Sequence, residues 1–342
     1  MRRRLVLREE RFAFREPFRI AGHEFTETKV LVAQIADGDH VGLGEGAGVY
    51  YLGDDLARMR DQAESARAEL EAGAGRAELQ SLLPPGGARN ALDCALWDLD
   101  ARLTGQPAWR LAGLHGLAWL STTMTLSADE PARMAAAATG RFGDWPMLKL
   151  KLTGEAELDA ARVRAVRAAR PDAWIGVDAN QGYSRATLSG LVAVLLEARV
   201  ELLEQPLARG VEADLDGVTR PLPFAADESV CTLEELERAP GRFDAVNIKL
   251  DKCGGLTEAL AIAHRCRELG LSVMDGNMMG SSLSMAPSLV VGQLCDIVDL
   301  DGPTFLASDR PGAVSYVDGQ IGVGAAEWGL MATPAKLFSE TD

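Results

Sequence analysis

Eight short apolar segments alternate with amphipathic stretches rich in Ala, Leu and Arg in the second part of the chain. Polar residues at the segment ends recur at similar intervals, with 29 residues from Lys149 to Asp178 and 26 from Asp178 to Glu204. One strand followed by one helix has this length in α/β barrels. The alternation predicts a parallel β/α array, and eight strands are enough to close a barrel. The predicted strands span residues 121–126, 147–152, 174–178, 200–203, 224–227, 245–250, 272–275 and 296–300.

The amino-terminal part of the chain lacks this repeat. Residues 1 to about 35 alternate as β-strands do, and a further strand ends at residues 42–46, which predicts an antiparallel meander. Residues 56–83 and 91–103 carry apolar side chains at helical spacing. This first zone is therefore expected to be α+β.

The net charge and the pattern of cysteines restrict the kinds of ligand and partner that the chain is expected to bind. The 342-residue chain has a formal net charge of −15, which repels phosphate backbones and anionic lipid, so we expect no nucleic acid and no membrane partner. Its basic start is followed by further charges rather than by the apolar core of a signal peptide, which predicts a cytoplasmic protein. The five cysteines are scattered without a CxxC pair, so neither a disulfide framework nor a zinc site is indicated. A small molecule is the expected ligand.

Acidic residues follow three successive predicted strands. Asp178, Glu204 and Asp227 each stand at the carboxyl end of an apolar segment. Residues at these ends point into the mouth of a barrel, so we expect the three carboxylates to converge. Carboxylates at close range repel one another, and a hard divalent cation such as Mg²⁺ relieves that repulsion. Each acid alone could instead cap a helix or lie in a surface loop, but three in register favour a metal site.

Lysines occupy two of the predicted strands. Lys149 and Lys151 share one face of residues 147–152, a pattern also typical of a half-buried strand with its polar face in water. Lys249 lies in a strand on the opposite side of the predicted barrel. A lysine acts as a base near neutral pH when burial or a neighbouring cation lowers its pKa. We expect the proximity of Lys149 and Lys151, with a metal nearby, to lower the pKa of one, while the other helps to hold a substrate anion.

Five short motifs, taken in order, carry a resemblance that covers nearly the whole chain. They are Lys149-Leu150-Lys151, Asp178-Ala179-Asn180, Glu204-Gln205-Pro206, Asp227-Glu228-Ser229 and Asn247-Ile248-Lys249. With them the sequence resembles the enolase superfamily, in its muconate-lactonizing-enzyme-like subgroup. The resemblance implies Asp178, Glu204 and Asp227 as Mg²⁺ ligands, and Lys151 and Lys249 as acid/base catalysts on opposite faces of the substrate. Sites of this superfamily are known to combine a lysine or histidine base with Mg²⁺.

The same resemblance implies the domain organisation. The expected fold is α/β, a modified (β/α)7β-type TIM barrel with an α+β capping domain. We expect the cap over residues 1–115, completed by about 315–342, and the catalytic barrel over residues 116–314. A loop of the cap near residues 17–27 is expected to cover the barrel mouth.

The end of the eighth predicted strand points to a substrate class. Asp299-Leu300-Asp301-Gly302-Pro303 resembles the dipeptide epimerase motif, in which two aspartates bind the free α-ammonium group of the substrate. Alternate strand residues share a face, and paired carboxylates select a cation, so the chemistry agrees. The alternative is a strand-end turn that caps the next helix. If the segment is this motif, Asp299 and Asp301 are substrate-binding residues, and Lys149 helps to stabilise the negative charge of the reaction intermediate.

The remaining candidate contacts leave the substrate side chain open. Asn277 and Met278, after the seventh strand, depart from the residues expected there in the family. Relatives specific for glutamate place an arginine near the position of His23 or Phe25, whereas Arg19 and His23 are the basic groups of this segment. All five are candidate substrate contacts.

The predicted reaction is removal and return of a proton at the α-carbon of a dipeptide, with inversion. The nearest rival is an N-acylamino acid racemase, for example of N-acetylglutamate, which uses the same lysines and metal without an ammonium-binding site. A cycloisomerase or an o-succinylbenzoate-synthase-like dehydratase comes next. A catalytically silent barrel that serves as a binding or scaffold protein is the rival of another class. A homo-oligomer is also expected.

Overall fold

The amino-terminal residues form an antiparallel meander, as predicted. The computed structural model describes residues 3–20, 22–322 and 328–329. Its first sheet consists of β1 (Arg4–Ile20), β2 (His23–Asp37) and β3 (His40–Ala47), paired in that order. β1 and β2 pair as far as Ala13, and after an irregular stretch they pair again at the hairpin tip, where Phe18 opposes Phe25. The segment expected as a loop near residues 17–27 is thus the paired end of a hairpin, because aromatic residues favour cross-strand pairing.

Glycines on β3 allow a helix to pack directly on this sheet. A 3₁₀ turn at Tyr50–Leu52 precedes the helices α1 (Leu56–Ser65), α2 (Arg67–Ala72), α3 (Arg76–Leu82), α4 (Gly87–Thr104) and α5 (Ala108–Leu111). A Cβ on Gly44 would lie 2.1 Å from the carbonyl oxygen of Ala91 in α4, and Gly42 and Gly46 are equally crowded. Only glycine therefore fits at these alternate positions. Side chains alternate along a strand, so Glu45 faces away from α4 and toward the barrel.

A short strand, β4 (Leu120–Ser121), leads into eight parallel strands that pair in sequential order. They are β5 (Met124–Leu126), β6 (Met147–Lys151), β7 (Trp174–Asp178), β8 (Leu202–Glu204), β9 (Phe224–Ala226), β10 (Ala245–Lys249), β11 (Ser272–Gly276) and β12 (Ile297–Asp299). The Thr123 N–H donates a 2.9 Å hydrogen bond to the Val298 carbonyl oxygen, which brings the first and last strands together. The predicted α/β fold, a (β/α)7β-type barrel with an α+β cap, is confirmed.

Helices on the outside of the barrel connect most of these strands. They are α6 (Pro131–Thr139), α7 (Ala156–Ala169), α8 (Arg185–Glu197), α9 (Leu233–Leu236), α10 (Leu250–Cys253), α11 (Leu256–Glu268) and α12 (Ser282–Gly292). β8 and β12 are followed by 3₁₀ turns, at Glu212–Leu215 and Gly302–Phe305. Within the described residues, no helix has both the length and the apolar character needed to cross a membrane.

The first predicted barrel strand, residues 121–126, is in fact divided. β4 leaves the barrel and pairs with β14 (Gln320–Gly322), which pairs in turn with β13 (Ser315–Val317). Thr122 lies at the break, and its hydroxyl accepts a 2.8 Å hydrogen bond from the Leu300 N–H. The run of strand-forming residues continues through the break, so the pattern could not reveal it.

Buried polar contacts hold the cap on the barrel. Glu45 accepts a 2.7 Å hydrogen bond from the Ser281 N–H at the start of α12 and pairs with Arg310 at 2.9 Å. Asp251 in α10 accepts hydrogen bonds from the Ala47 N–H at 2.8 Å and from Asn90 of α4 at 2.7 Å. Charge-assisted hydrogen bonds of this kind are short and geometrically specific. They fix the position of the β1–β2 hairpin and of the 3₁₀ turn over the barrel mouth.

Candidate active site

The carboxyl ends of three neighbouring strands bring three acids together. Asp178 ends β7 and pairs in register with Glu204 at the end of β8, and Asp227 directly follows β9. All three side chains are buried, and one carboxylate oxygen of each lies within 4.8 Å of the others. A set made of carboxylate oxygens matches the ligand preference of hard cations such as Mg²⁺.

Amide side chains contact two of these acids, Glu204 at its carboxylate and Asp227 at its backbone. Asn247 donates from Nδ2 to Glu204 Oε1 at 2.7 Å, and Gln205 accepts the Asp227 N–H at Oε1 at 2.9 Å. The backbone of Gln205 has a φ of 36°, in the left-handed region that is uncommon for a residue other than glycine. Strain of this kind persists where the surrounding structure requires it, and it clusters at functional sites. The bend after β8 thus keeps Gln205 beside Asp227.

Two lysines face each other across this acidic cluster. β6 and β10 are four strands apart in an eight-stranded barrel, so their ends lie on opposite sides of the mouth. Lys151 Nζ lies 2.6 Å from Asp178 Oδ2, and Lys249 Nζ lies 2.6 Å from Asp227 Oδ2. Lys151 is 8% exposed and Lys249 is 7% exposed. The alternative interpretation of residues 147–152, a strand with its polar face in water, is therefore wrong.

Lys149 lies deeper in the mouth, between two acids. Its Nζ is 2.7 Å from Glu204 Oε2 and 2.7 Å from Asp299 Oδ2. Burial lowers the pKa of Lys149, but the charges of Asp299 and Glu204 oppose burial and hold the pKa well above its ordinary value. The nearest charges to the Lys149 ammonium group are therefore carboxylates, and the lowering of one lysine pKa by the proximity of Lys149 and Lys151, with a metal nearby, stays a prediction.

The same balance of charges acts on the other groups of the cluster. Burial lowers the pKa of Lys249, and the charges of Asp227 and Glu204 outweigh that effect, so its pKa is raised. Burial, followed by repulsion from Asp178, raises the pKa of Glu204 to about 7. Glu204 therefore needs more positive charge nearby if it is to be fully ionised at neutral pH.

The aspartates at the end of the eighth strand have different partners. Asp299 accepts hydrogen bonds from the Thr123 hydroxyl and, at 2.7 Å, from Lys149. Asp301 Oδ2 accepts a 2.7 Å hydrogen bond from the Thr125 N–H. Burial, followed by the charge of Asp299, raises the pKa of Asp301 to about 6. Because Asp299 already binds Lys149, Asp301 is the better placed of the two to bind a cation in the cavity.

In the seventh barrel strand, β11, the side chain of Asp275 points away from the barrel mouth. Gly276 pairs in register with Asp299, so position 276 faces inward and Asp275 faces the outer helical layer. Asn277 follows the strand and donates a 2.6 Å hydrogen bond from Nδ2 to the Asp299 carbonyl oxygen. Asn277 and Met278 both line the main cavity.

One cavity of about 690 Å³ joins the barrel mouth to the cap. This volume is within the range of about 300–1,000 Å³ that is usual for small-molecule sites. On the barrel side the cavity is lined by Lys149, Lys151, Lys249, Asp299 and Asp301. On the cap side its apolar and aromatic lining consists of Phe14, Phe18, Ile20, Phe25, Ala47, Tyr50, Tyr51 and Leu56.

The two basic candidates of the hairpin lie elsewhere. Arg19 donates a 2.7 Å hydrogen bond from Nε to Glu24 Oε2 and lines a separate cavity of about 330 Å³. His23 is exposed and stacks on Phe25, with ring centroids 5.9 Å apart. Phe25 itself lines the main cavity. The structure therefore brings Phe25 to the site and leaves Arg19 and His23 outside its lining.

Several polar groups near the acids were not foreseen as site residues. Lys252 Nζ lies 2.6 Å from Asp227 Oδ1, and Asn180 donates from its N–H to Asp178 Oδ1 at 2.8 Å. The position of Lys252, one helical turn after the strand lysine, was an available signal. Tyr50 offered no such signal, because it belongs to a 3₁₀ turn of the cap.

Fold and site together define a barrel enzyme of the enolase type. The family model "Mandelate racemase / muconate lactonizing enzyme, N-terminal domain" matches residues 2–113, and the model "Enolase C-terminal domain-like" matches residues 127–323. The chain belongs to the enolase superfamily, within the mandelate racemase and muconate lactonizing enzyme group.

Individual relatives narrow the comparison. The L-Ala-D/L-Glu epimerase of Escherichia coli is 38% identical over 92% of this chain and 97% of its own. The N-acetyl-D-glutamate racemase of Pseudoalteromonas is 39% identical over 76% of this chain and 82% of its own. The solved structure of a dipeptide epimerase from Methylococcus capsulatus, complexed with Mg and the dipeptide L-Arg-D-Lys, has a TM-score of 0.87 and 30% identity, with 94% of this chain and 97% of that chain covered.

Proposed function

We propose that this chain is a Mg²⁺-dependent dipeptide epimerase, an isomerase that inverts the α-carbon next to the C-terminal carboxylate. The observation that carries the proposal is the position of Lys151 and Lys249 on opposite sides of one cavity that also contains Asp301. Inversion requires that a proton leaves one face of the α-carbon and that another arrives on the opposite face. Two lysines across the mouth meet that requirement, and Asp301 provides a partner for an α-ammonium group.

The proposed Mg²⁺ ligands are Asp178, Glu204 and Asp227. Their convergence within 4.8 Å and the raised pKa of Glu204 support a divalent cation at this position. When bound, Mg²⁺ supplies the positive charge that makes a proton next to a carboxylate acidic enough for an amine to remove. With a cation bound, the three carboxylates would no longer need Lys151 and Lys249 as counter-ions. Both lysines would then be available to the substrate.

The lysines then divide the proton transfers between them. One of Lys151 and Lys249 removes the α-proton, and the other delivers a proton to the opposite face. Lys149 lies between Glu204 and Asp299 and places positive charge where the carboxylate of the substrate becomes more negative. Asn277 and Met278 line the cavity and are proposed substrate contacts, together with Phe25. Arg19 and His23 lie outside the cavity lining and are not included.

The acid at position 301 separates this proposal from its rivals. An N-acylamino acid has no ammonium group, so its binding would leave Asp301 buried without a cation, which costs free energy. The same cost applies to the substrates of a cycloisomerase or of an o-succinylbenzoate-synthase-like dehydratase. A silent binding barrel has no need of two opposed lysines beside three acids, and this chain contains them all.

A screen by mass spectrometry tests the proposal. Dipeptides and N-acetyl amino acids with the same side chains are incubated with the protein in D₂O and Mg²⁺, and deuterium incorporation is measured for each substrate. We expect exchange and inversion in dipeptides, at rates well above those of their N-acetyl counterparts. Exchange confined to N-acetyl amino acids would replace the proposal with the racemase. No exchange in either series would exclude both.

Further features remain proposals. We propose a cap of residues 1–115 and about 315–342 on a barrel of residues 116–314, in a cytoplasmic protein that assembles as a homo-oligomer. Trp328 Nε1 donates a 3.2 Å hydrogen bond to the Cys94 carbonyl oxygen of α4, which supports a return of the chain to the cap. Residues 323–327 and 330–342 of that segment lie outside the described residues.

A further inference from the structure

Aromatic and aliphatic side chains make up much of the cavity wall above the lysines. We infer that the enzyme acts on dipeptides whose C-terminal, epimerised residue has an uncharged apolar side chain, aliphatic or aromatic, and that it disfavours glutamate at this position. This inference rests on the proposed function, because it concerns the side chain on the carbon between Lys151 and Lys249. It differs from the glutamate substrate in the names of the relatives from Escherichia coli and Pseudoalteromonas.

The strand order determines the direction of the substrate side chain. Loss of the α-proton makes the α-carbon planar, with one lysine on each face, so its other three substituents lie in the plane between Lys151 and Lys249. The carboxylate is directed toward the acids at the ends of β7, β8 and β9. The amide nitrogen leads to the ammonium group and is directed toward Asp301, after β12. β8 and β12 are four strands apart and therefore opposite each other. The side chain must then lie along the barrel axis.

Only one direction along that axis is open. The barrel interior below the mouth is filled by the buried side chains of Leu202, Ala225, Ala245 and Met274. The substrate side chain therefore points outward, into the part of the cavity that the cap encloses. The cap residues above the mouth, rather than the barrel residues, are in contact with it.

Aromatic rings form this part of the wall. Phe25 and Tyr50 line the cavity, with ring centroids 5.7 Å apart in an edge-to-face arrangement. Phe18 and Ile20 line it from the other strand of the hairpin. A wall of this composition gains free energy when it removes an apolar side chain from water.

The charged residues that line the cap side of the cavity are mostly acids, namely Glu24, Glu27, Asp54 and Asp55. Among the described residues, Lys29 is the cation on this side, and its Nζ lies 3.5 Å from Glu27 Oε1. Glu24 also lines the cavity and pairs with Arg19 at 2.7 Å. A substrate carboxylate here would meet aromatic rings and acids without a cation of its own, and burial of an unpaired charge is strongly unfavourable.

The test compares four dipeptides in the D₂O assay: L-Ala-L-Leu, L-Ala-L-Phe, L-Ala-L-Glu and L-Ala-L-Lys. We expect kcat/KM for the Leu or Phe substrate to exceed that for Glu and for Lys by at least about 100-fold, the discrimination reached by apolar pockets against a poorly matched side chain. The variant Phe25→Arg should reduce the ratio of Leu to Glu at least about tenfold, whereas Phe25→Leu should keep it. Val317→Arg adds the same charge on an exposed strand and should leave the ratio unchanged.

The outcomes separate this inference from the proposed function. Exchange in dipeptides with a preference for Glu or Lys overturns the inference and leaves the epimerase proposal intact. If only N-acetyl amino acids exchange, the epimerase proposal fails. The order of kcat/KM among the same side chains in the N-acetyl series then decides whether the inference holds. Exchange in neither series overturns both. A Phe25→Arg variant that folds with the wild-type Tm but keeps the wild-type ratio also overturns the inference.

Discussion

The barrel side and the cap side of the cavity are built in different ways. On the barrel side, each proposed reacting group stands at the end of a parallel strand, so the strand order sets the separation of Lys151 and Lys249. On the cap side, Phe25 and Tyr50 come from a hairpin tip and a 3₁₀ turn. Their position depends on the docking of the cap through contacts such as that of Glu45. The difference teaches that the chemistry and the choice of side chain reside on separate elements and can be altered separately.

Removal of the metal should have the largest effect, and it should act on the barrel side alone. Treatment with EDTA should lower kcat/KM by at least about 1000-fold for every dipeptide, because a bound cation contributes several kcal/mol of charge stabilisation. Mg²⁺ should restore activity with an unchanged preference among side chains. Mg²⁺ should also raise the Tm of the wild type but not that of Glu204→Gln. Full activity in metal-free protein would contradict the assignment of Asp178, Glu204 and Asp227.

The variant Asp301→Asn should have the next largest effect. Loss of a charge-assisted contact with the α-ammonium group should cost about 2–5 kcal/mol, or roughly 30- to 5000-fold in kcat/KM for the free dipeptide. The N-acetyl counterpart is the matched control, since it lacks the cation and should change little. Both substrates are measured at one Mg²⁺ and salt concentration, because screening weakens the interaction. Equal losses for the two substrates would remove the main support for a dipeptide.

The smallest effect is expected from a substitution outside the cavity, at Asp275 on the outer face of β11. Neither carboxylate oxygen of the buried Asp275 has a hydrogen-bond partner in the described part of the chain. Burial, followed by the charge of Asp299, raises the pKa of Asp275 well above its usual value. A raised folded-state pKa means that this residue lowers stability as the pH rises above about 4, the pKa of an unfolded aspartate.

Replacement of this acid should therefore stabilise the protein at neutral pH. Asp275→Val should increase the free energy of unfolding by about 1–3 kcal/mol at pH 7, since an unsatisfied buried polar group is removed at similar volume. The gain should be smaller at pH 4, where the wild-type residue is protonated in the folded state and already about half protonated in the unfolded state. Asp275→Asn, which stays polar, is the control and should gain less. Urea unfolding at both pH values measures the difference, and a loss of stability at pH 7 would refute it.

Local pattern was sufficient to predict the barrel side. The repeat of strand and helix predicted the eight strands, and parallel strands in sequential order bring Asp178, Glu204 and Asp227 side by side at one edge. It was harder to infer which residues of a strand face the barrel interior. Asp275 is the last residue of the predicted strand 272–275, but the register makes Gly276 the inward position.

The cap side could not be predicted in the same way. The position of Tyr50 depends on contacts between residues far apart in the chain, such as Glu45 with Ser281. The lysine pKa values depend on how many carboxylates surround each ammonium group, which strand patterns do not reveal. The family resemblance placed Phe25 among the candidate substrate contacts, but in a loop rather than at the paired end of a hairpin.

The most direct test of the central claim is α-proton exchange in Lys151→Ala and Lys249→Ala, each assayed in D₂O with both epimers of one dipeptide. Two opposed bases predict that each variant loses epimerisation, by at least about 1000-fold, and that each still exchanges the α-proton of one epimer only. The epimer that exchanges should differ between the two variants. Near-normal epimerisation in either variant, or exchange of the same epimer by both, would contradict the proposed two-lysine mechanism.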